Sequence, residues 1–362
     1  MELGIVGLPN AGKSTLFNAL TQAGVEADSY PFCTVDPNVG VVEVEDHRLE
    51  DLCQYYQPEK CQGAPIKFVD IAGLVAGASR GEGLGNEFLS HIREVDALVH
   101  VVRLFKGEQI SHVEGSIDPI RDIEILETEL IMKDLETIHR RREKTERMLK
   151  TGENKYREEI SYLDFLQENL EAGHPVRLLE YSEGVGDLIS ELFLLTAKPT
   201  LYVANLNEAQ LQNNSVENLE KLRNLAAKRE EELVELSASF EEELVDLNPE
   251  EQELFMSDMD IEDRGLKRLN QASYELLDLI TFYTVTGGDE VRATPIPRGY
   301  TAPEAAGRIH SDMEENFIKA EVINFSDWQE IKDISRARQE GRVRTEGTDY
   351  VVQDGDICHF KF

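Results

Sequence analysis

Cysteine is scarce in this chain. Four occur in 362 residues, Cys33, Cys53, Cys61 and Cys358, and no two have the C-x-x-C spacing. Neither a zinc site nor a disulfide framework is indicated, and buried free thiols are the expectation. Long apolar runs are missing too: none approaches the roughly 20 residues of a membrane span. The N-terminus is already strand and loop, with no room for a signal peptide, so a soluble cytoplasmic protein is expected. Positive charge is in deficit. Against 71 Asp and Glu stand 37 Lys and Arg, for a formal net charge of −34. That balance opposes passive attraction to DNA, RNA or anionic membrane, so any nucleic-acid contact needs a local basic patch. Apolar material is not lacking: at 41% hydrophobic residues, the chain can fill the cores of about two or three domains.

What is present begins at Gly7-Leu8-Pro9-Asn10-Ala11-Gly12-Lys13-Ser14. It reads G-x-x-x-x-G-K-S, the phosphate-binding P-loop. The apolar run Leu3–Val6 precedes it as a strand, and Ser14–Ala23 follows as a helix closed by Gly24. In that context the glycines let backbone N–H groups curl around a polyphosphate at a helix N-terminus. Lys13 is placed to neutralise the outer phosphates and the Ser14 hydroxyl to hold Mg2+. A plain glycine-rich turn would require neither.

The segment Asp28–Asn38 is rich in proline and turn formers and reads as an extended loop. Its Thr34 can offer a hydroxyl to Mg2+ when a γ-phosphate is present, by analogy with nucleotide switches. Val39–Val44 and Pro65–Asp70 read as strands. The second ends in Asp70-Ile71-Ala72-Gly73, a D-x-x-G that gains meaning from its place after a P-loop. The aspartate suits the Mg2+ shell, and the glycine N–H suits a γ-phosphate. Gly77, Gly81, Gly83 and Gly85 then mark a loop. Asp96–Val102 is a buried strand, with His100 read as a core histidine.

From Asp118 the composition changes. Ile123, Leu126, Leu130, Leu135 and Ile138 recur at helical spacing in a charge-rich, glycine-free run. Lys150-Thr151-Gly152 breaks it, and Tyr156, Ile160, Leu163 and Leu170 resume it. This predicts an antiparallel helical hairpin. It is either a solvated spacer or an arm that touches a partner; Arg140, Arg141, Arg142, Lys144 and Arg147 near its tip favour contact. Strands at Pro199–Asn205 and over Leu233–Ser239, the second ending in a small-residue turn, with helices between, predict a mainly parallel α/β sheet with ligands at the C-terminal ends of its strands. Phe240 to Ile280 reads as acidic helices. Thr281 to Phe362 reads as a small mixed module: a hairpin over Phe282–Ala293, a helix N-capped by Thr301, and a final hairpin over Val351–Phe360. Arg336, Arg338, Arg342 and Arg344 are its candidates for RNA contact.

Taken together, the P-loop, Thr34, Asp70–Gly73 and Asn205-Leu206-Asn207-Glu208 resemble the ordered motifs of a Ras-like GTPase domain. The wording from Gly4 to Asn18 and from Pro31 to Asn38 is similar to the Obg-related group. Asn205–Glu208, the helical hairpin and the C-terminal module resemble its YchF (Obg-like ATPase) branch. The resemblance implies an α/β fold: a Ras-like nucleotide-binding domain over 1–120 and 197–280, a helical insertion over 121–196, and a ubiquitin-like TGS domain of α+β type over 281–362. It implies nucleotide contacts from Asn10, Ala11, Gly12, Lys13, Ser14, Thr15, Gly73, Asn205, Leu206, Glu208 and Ser237. It implies Mg2+ held by Ser14 and Thr34, with Asp70 holding the water around the ion. It implies slow hydrolysis of ATP in preference to GTP, and a ribosome or RNA partner reached through the hairpin and the TGS-like module. Asn10 adds K+ as a candidate second cation beside the phosphates.

Two absences within the motifs carry chemistry. Guanine-reading proteins use N-K-x-D, whose aspartate accepts from guanine N1–H and the 2-amino group; here Leu206 replaces the lysine and Glu208 the aspartate. A longer carboxylate does not fit the same two bonds, and a site that leaves guanine's donors unpaired loses its discrimination. Asn205 is expected to contact the base, with Leu206 packing on it or presenting backbone to it. The glutamine that often follows D-x-x-G to orient the attacking water is also missing: Leu74 stands there and can neither donate nor accept. His112 is the candidate substitute.

Overall fold

The computed structural model describes residues 1–24, 38–71, 84–106, 115–149, 154–212, 216–261, 263–286 and 289–362. In β1 (Glu2–Val6), Leu3 to Val6 are all buried, as a strand covered on both faces by helices requires. It feeds α1 (Lys13–Ala23). Next come β2 (Val39–Val44), α2 (His47–Tyr56), β3 (Lys60–Gln62) and β4 (Ala64–Asp70). After α3 (Leu84–Glu94) and the fully buried β5 (Ala97–Arg103) the chain enters α4 (Pro119–Leu149) and α5 (Asn154–Glu171). It returns through α6 (Glu183–Leu192) to β6 (Thr200–Asn205), α7 (Glu208–Gln212), α8 (Glu217–Arg229) and β7 (Leu233–Leu236). Three helices follow: α9 (Ala238–Val245), α10 (Pro249–Asp258) and α11 (Gly265–Leu276).

These elements make a six-stranded sheet in the order β2-β4-β1-β5-β6-β7. The β1–β4, β1–β5, β5–β6 and β6–β7 pairs are all parallel. The chain leaves β1 between neighbours β4 and β5 on opposite sides, the position at which open α/β sheets bind ligands. The compact unit built on this sheet comprises Met1–Val41 and Lys67–Ala272, and it includes the helical hairpin.

The hairpin is antiparallel. Arg141 pairs with Glu159 at 2.6 Å and Arg142 with Asp164 at 2.9 Å across its two helices. Ile131, Ile138, Leu163, Leu166, Leu170, Val185 and Leu188 fill one core between α4, α5 and α6. Asp134 ties its base down: the carboxylate accepts from the Leu195 and Thr196 N–H groups, both at 2.8 Å, and from the Thr196 hydroxyl. Beside it lies a buried charged network. Arg177 and Arg229 both donate to Glu127, Arg177 also to Glu231, and the Tyr202 hydroxyl donates to Glu231. His100 is buried over the Tyr202 ring, and burial pushes its pKa down to about 3, so it is a neutral core residue.

A second sheet has the order β11-β10-β12-β8-β9-β3. It is built from β8 (Leu279–Thr286), β9 (Glu290–Pro297), α12 (Ala302–Gly307), α13 (Ser311–Glu315), β10 (Lys319–Asn324), α14 (Phe325–Ile331), α15 (Ile334–Gln339), β11 (Arg344–Glu346) and β12 (Asp356–Lys361). Its unit takes in Val42–Ile66 as well as Ser273–Phe362. Chain order alone would leave 42–66 with the nucleotide motifs. It packs here because Leu49 and Leu52 of α2 share a core with Tyr283, Val291, Phe325 and Trp328.

Two expectations change. Val351–Phe360 is not a hairpin: Val351 makes only a bridge to Thr301, while β12 runs antiparallel to β10 and parallel to β8 at Ile357 and Tyr283. The strand pairs with distant partners, which local turn chemistry cannot reveal. Nor are all the cysteines free thiols. Cys53 and Cys61 are bonded to each other, because α2 and β3 bring their Cα atoms to 6.2 Å. Cys358 is free and buried, and Cys33 lies outside the described residues.

Candidate nucleotide-binding site

The P-loop is held open by two glycines. Gly7 has φ +151°, and a Cβ there would lie 2.4 Å from the Val101 carbonyl oxygen. Gly12 has φ +96°, and its Cβ would lie 2.1 Å from Asn205 Nδ2. Any side chain at either position collides with fixed structure. Asn10 also takes a positive φ, 64°. Gly12 is the N-cap of α1, no side chain caps that end, and the first turn has no acidic residue. The equivalent ends of α2, α9 and α10 are each closed by their own Asp46, Ser237 and Asn248. So α1 keeps its N-terminal N–H groups and its positive dipole end for an anion.

Lys13 is buried, and its Nζ donates to the Gly7 carbonyl at 3.0 Å and the Leu8 carbonyl at 3.1 Å. The ammonium is thus folded back along the loop that phosphates would occupy. Burial lowers its pKa and the Asp70 carboxylate opposes that shift. Ser14 is exposed and Thr15 half-buried. Asp70 ends β4 beside Ile5 of β1. Its Oδ1 is buried, and among the described residues no donor reaches it. Burial raises its pKa, with Lys13 opposing. A buried carboxylate oxygen that no described donor reaches, in a chain whose P-loop also carries the Ser14 hydroxyl, suits a hard cation with oxygen ligands, and Mg2+ fits that donor set.

Asn205, at the C-terminal end of β6, is buried. Its Nδ2 donates to the Ala11 carbonyl at 2.9 Å, and its Oδ1 accepts from the Ala238 N–H at 3.0 Å. It therefore stitches the P-loop to the turn after β7, and among the described residues one hydrogen of its amide has no acceptor. Leu206 is buried. Its side chain lies in the core with Val102, Leu104, Tyr202 and Leu222, and its N–H donates to the Leu236 carbonyl. Asn207 and Gln210 exchange side-chain bonds with each other's N–H, opening α7, whose first turn carries Glu208. Ser237 is buried, and its hydroxyl accepts from the Phe240 N–H as the cap of α9. Thr34, Gly73, Leu74 and His112 lie outside the described residues.

Sequence reasoning passed over Arg103 and Phe105. Arg103, the last residue of β5, is buried. Its guanidinium donates to the Phe105 carbonyl at 3.2 Å and lies 4.6 Å from the Phe105 ring centre. It also reaches the Asn10 carbonyl at 3.4 Å. Burial lowers its pKa and Asp122 in the first turn of α4 opposes that. The Phe105 ring stands 3.9 Å from where a Gly12 Cβ would be, so it flanks Asn205 on the same side of the loop. An arginine three residues before a charged loop gave no signal in the sequence. Only the β5–β6 pairing, which sets Arg103 beside Asn205, reveals it.

Comparison with known proteins places the chain in a family. The ribosome-binding ATPase YchF of Bacillus subtilis is 48% identical over 363 residues, covering 100% of this chain and 99% of the relative. The chain belongs to the YchF family. The YchF of Escherichia coli O157:H7 is 45% identical over 361 residues, covering 100% of this chain and 99% of its own. The solved Schizosaccharomyces pombe YchF GTPase matches with a TM-score of 0.89 at 36% identity, over 100% of this chain and 97% of that one. Residues 2–148 match a family model described as a 50S ribosome-binding GTPase. Residues 279–362 match the YchF C-terminal model, described as a protein of unknown function. Among the described residues no helix is long and apolar enough to cross a membrane.

The arginines singled out for RNA contact belong to the second unit, and each has a carboxylate partner. Arg336 pairs with Glu340 at 2.7 Å, Arg338 with Glu321 at 2.6 Å, Arg342 with Asp327 and Glu330, and Arg344 with Glu346 at 3.3 Å. Their charge is locally compensated. At the hairpin, Arg140, Arg141 and Arg142 are likewise paired with Glu136, Glu159 and Asp164.

Proposed function

We propose that this chain is a Mg2+-dependent ATPase of switch type that associates with the ribosome. The observation that carries the choice of ATP is the base-reading segment after β6. Its second residue, Leu206, is buried in the core, and its fourth, Glu208, replaces the aspartate that guanine recognition needs. Adenine lacks guanine's N1–H and 2-amino donors, so it loses nothing at a site that cannot accept them. Phe105 supplies an aromatic wall beside Asn205 for either purine. The name of the fission-yeast relative favours the alternative, a GTPase of the same architecture. Equilibrium binding of ATP and GTP, side by side, decides: ATP must bind more tightly, and tighter GTP binding ends the ATP reading.

Ser14 and Thr34 are the residues that would hold Mg2+ directly, with Asp70 accepting from the water around it; when bound, the ion would supply positive charge against the phosphate oxygens. The chain's own residues do the rest. Uncapped N–H groups of α1 bind the phosphate oxygens, and Lys13 exchanges the Gly7 and Leu8 carbonyls for the outer phosphates. The Gly73 N–H senses the γ-phosphate. His112 positions the attacking water that Leu74 cannot hold; if His112→Ala leaves both hydrolysis and affinity unchanged, that role is wrong. Asn10 is the candidate ligand for K+, to be tested by hydrolysis in K+ against Na+.

Ribosome association rests on relatives spanning the whole chain and named for it. The nucleotide-binding and TGS domains and the helical hairpin are the proposed modules, with the hairpin and the TGS-like module as contact surfaces. Co-sedimentation with ribosomes, with and without a non-hydrolysable ATP analogue, checks this.

A further inference from the structure

Nucleotide binding leaves one chemically reactive pair unused. Cys53 lies in the last turn of α2 and Cys61 at the centre of β3, bonded across a separation of eight residues. We propose that Cys53 and Cys61 form a reversible thiol–disulfide site, with small thiols and disulfides of the glutathione type as co-reactants, which governs whether β3 stays fastened to the sheet edge.

The two sulfurs are not equivalent. Cys61 is exposed, whereas Cys53 is half-buried against the core of Leu49, Leu52, Tyr283 and Trp328. An incoming thiolate therefore attacks Cys61 Sγ. The S–S bond breaks, Cys53 leaves as the thiolate and takes up a proton, and Cys61 is held in a mixed disulfide. A second thiol resolves that intermediate. In sum, the bridge and two thiols yield two protein thiols and one small disulfide. Closure is the reverse: the pair loses two electrons and two protons to a small disulfide, which becomes two thiols. A loop this short gains little from closure, so the bridge is not strongly protected by chain entropy.

The surroundings show what opening releases. Helix α2 is fastened without the bridge. Asp46 caps it, and Tyr283 donates to Asp46. Arg48 pairs with Asp354, and Trp328 Nε1 donates to the Tyr56 hydroxyl at 2.9 Å. Strand β3 is held differently. It is three residues long and lies at the sheet edge, where among the described residues its strand partner is β9, through Lys60, Cys61 and Gln62; Gln62 also accepts from Arg292. Short edge strands are the first part of a sheet to open. Reduction therefore frees β3 and leaves the core intact.

The chain carries its own reporter. Trp328 is its sole tryptophan, and its ring lies 5.5 Å from Tyr55 and 5.9 Å from Tyr56, beside the Cys53 turn. The test equilibrates the full chain with graded ratios of reduced to oxidised glutathione, traps thiols by alkylation, and maps them by peptide mass. Cys53 and Cys61 should pass together between bridged and doubly alkylated forms in the folded protein, with Trp328 emission following and buried Cys358 unlabelled. Amide exchange at residues 60–62 should accelerate by about tenfold or more on opening, while β8 and β12 keep their protection. The double variant Cys53→Ser, Cys61→Ser should fold, show the fast exchange permanently, and ignore glutathione. The proposal is overturned if the pair never closes in the folded chain. It is overturned equally if the bridge yields to glutathione only after denaturation, or if exchange at 60–62 is the same in both states.

Discussion

Asn205 and Ala11 stand 194 residues apart in the chain, and the Asn205 side-chain amide donates to the Ala11 carbonyl at 2.9 Å. With its oxygen held by the Ala238 N–H, Asn205 is a fastening between two loops as much as a reader of the base. Asn205→Ala should then weaken ATP and GTP binding by similar factors, about ten- to a hundredfold, because two buried bonds to backbone are lost. A change confined to one nucleotide would show that the base contact dominates. Titration of the variant with both nucleotides measures it.

Glu208 is the place to test base choice. Glu208→Asp shortens the carboxylate toward the geometry that guanine's two donors need, and GTP affinity should rise relative to ATP by about tenfold. Leu206→Lys, the other step toward N-K-x-D, should fail for a different reason. Leu206 is in the core, and placing an ammonium there should cost about 2–5 kcal/mol of stability. Thermal or urea unfolding separates the two effects.

Asp70 holds a buried carboxylate oxygen that no described donor satisfies. Neutralising it by Asp70→Asn should slightly raise the melting temperature of the nucleotide-free protein, since burial disfavours the charged carboxylate more than Lys13 favours it. The same change should lower Mg2+-dependent hydrolysis by about a hundredfold or more. Equal loss of stability and activity would mean that the carboxylate is structural.

The Glu127 network predicts a pH dependence of stability. Burial would push the Glu127 carboxyl up, but Arg177 and Arg229 overcome that and hold it below its usual range. A depressed carboxylate stabilises the fold above its unfolded pKa, and that stability is lost as pH falls through the folded value. So the wild type should lose stability steadily as pH drops from about 4.5, the ordinary glutamate value, and Glu127→Gln should flatten that limb. Arg177→Met should cost about 3–5 kcal/mol at neutral pH, because it removes one buried cation from both Glu127 and Glu231 and leaves the two carboxylates to share Arg229. Denaturant unfolding at several pH values tests both.

The paired arginines of the C-terminal unit make a further prediction. Each guanidinium is already neutralised by a neighbouring carboxylate, so Arg336→Ala with Arg342→Ala should change ribosome affinity by less than about twofold and leave its salt dependence intact. A marked loss would mean that those ion pairs exchange for phosphate.

Much of this protein is determined by local sequence. The P-loop needs only glycines at 7 and 12, a lysine and a hydroxyl between a buried strand and a helix, and all of that chemistry lies within eight consecutive residues. The parallel sheet follows from short apolar strands alternating with helices, and the hairpin from apolar residues at helical spacing. Tertiary structure decided what depends on distant partners. It turned Leu206 into the core, committed both ends of the Asn205 amide, and brought Arg103 and Phe105 to the same loop. It moved 42–66 into the C-terminal core, joined Cys53 to Cys61, and neutralised the arginine cluster. In most of these cases the deciding contact is with a residue that chain order does not single out; within the arginine cluster, Arg336–Glu340 is a local helix pair. Periodicity and motif spacing report what a segment can form, while packing decides which of its groups remain available for chemistry.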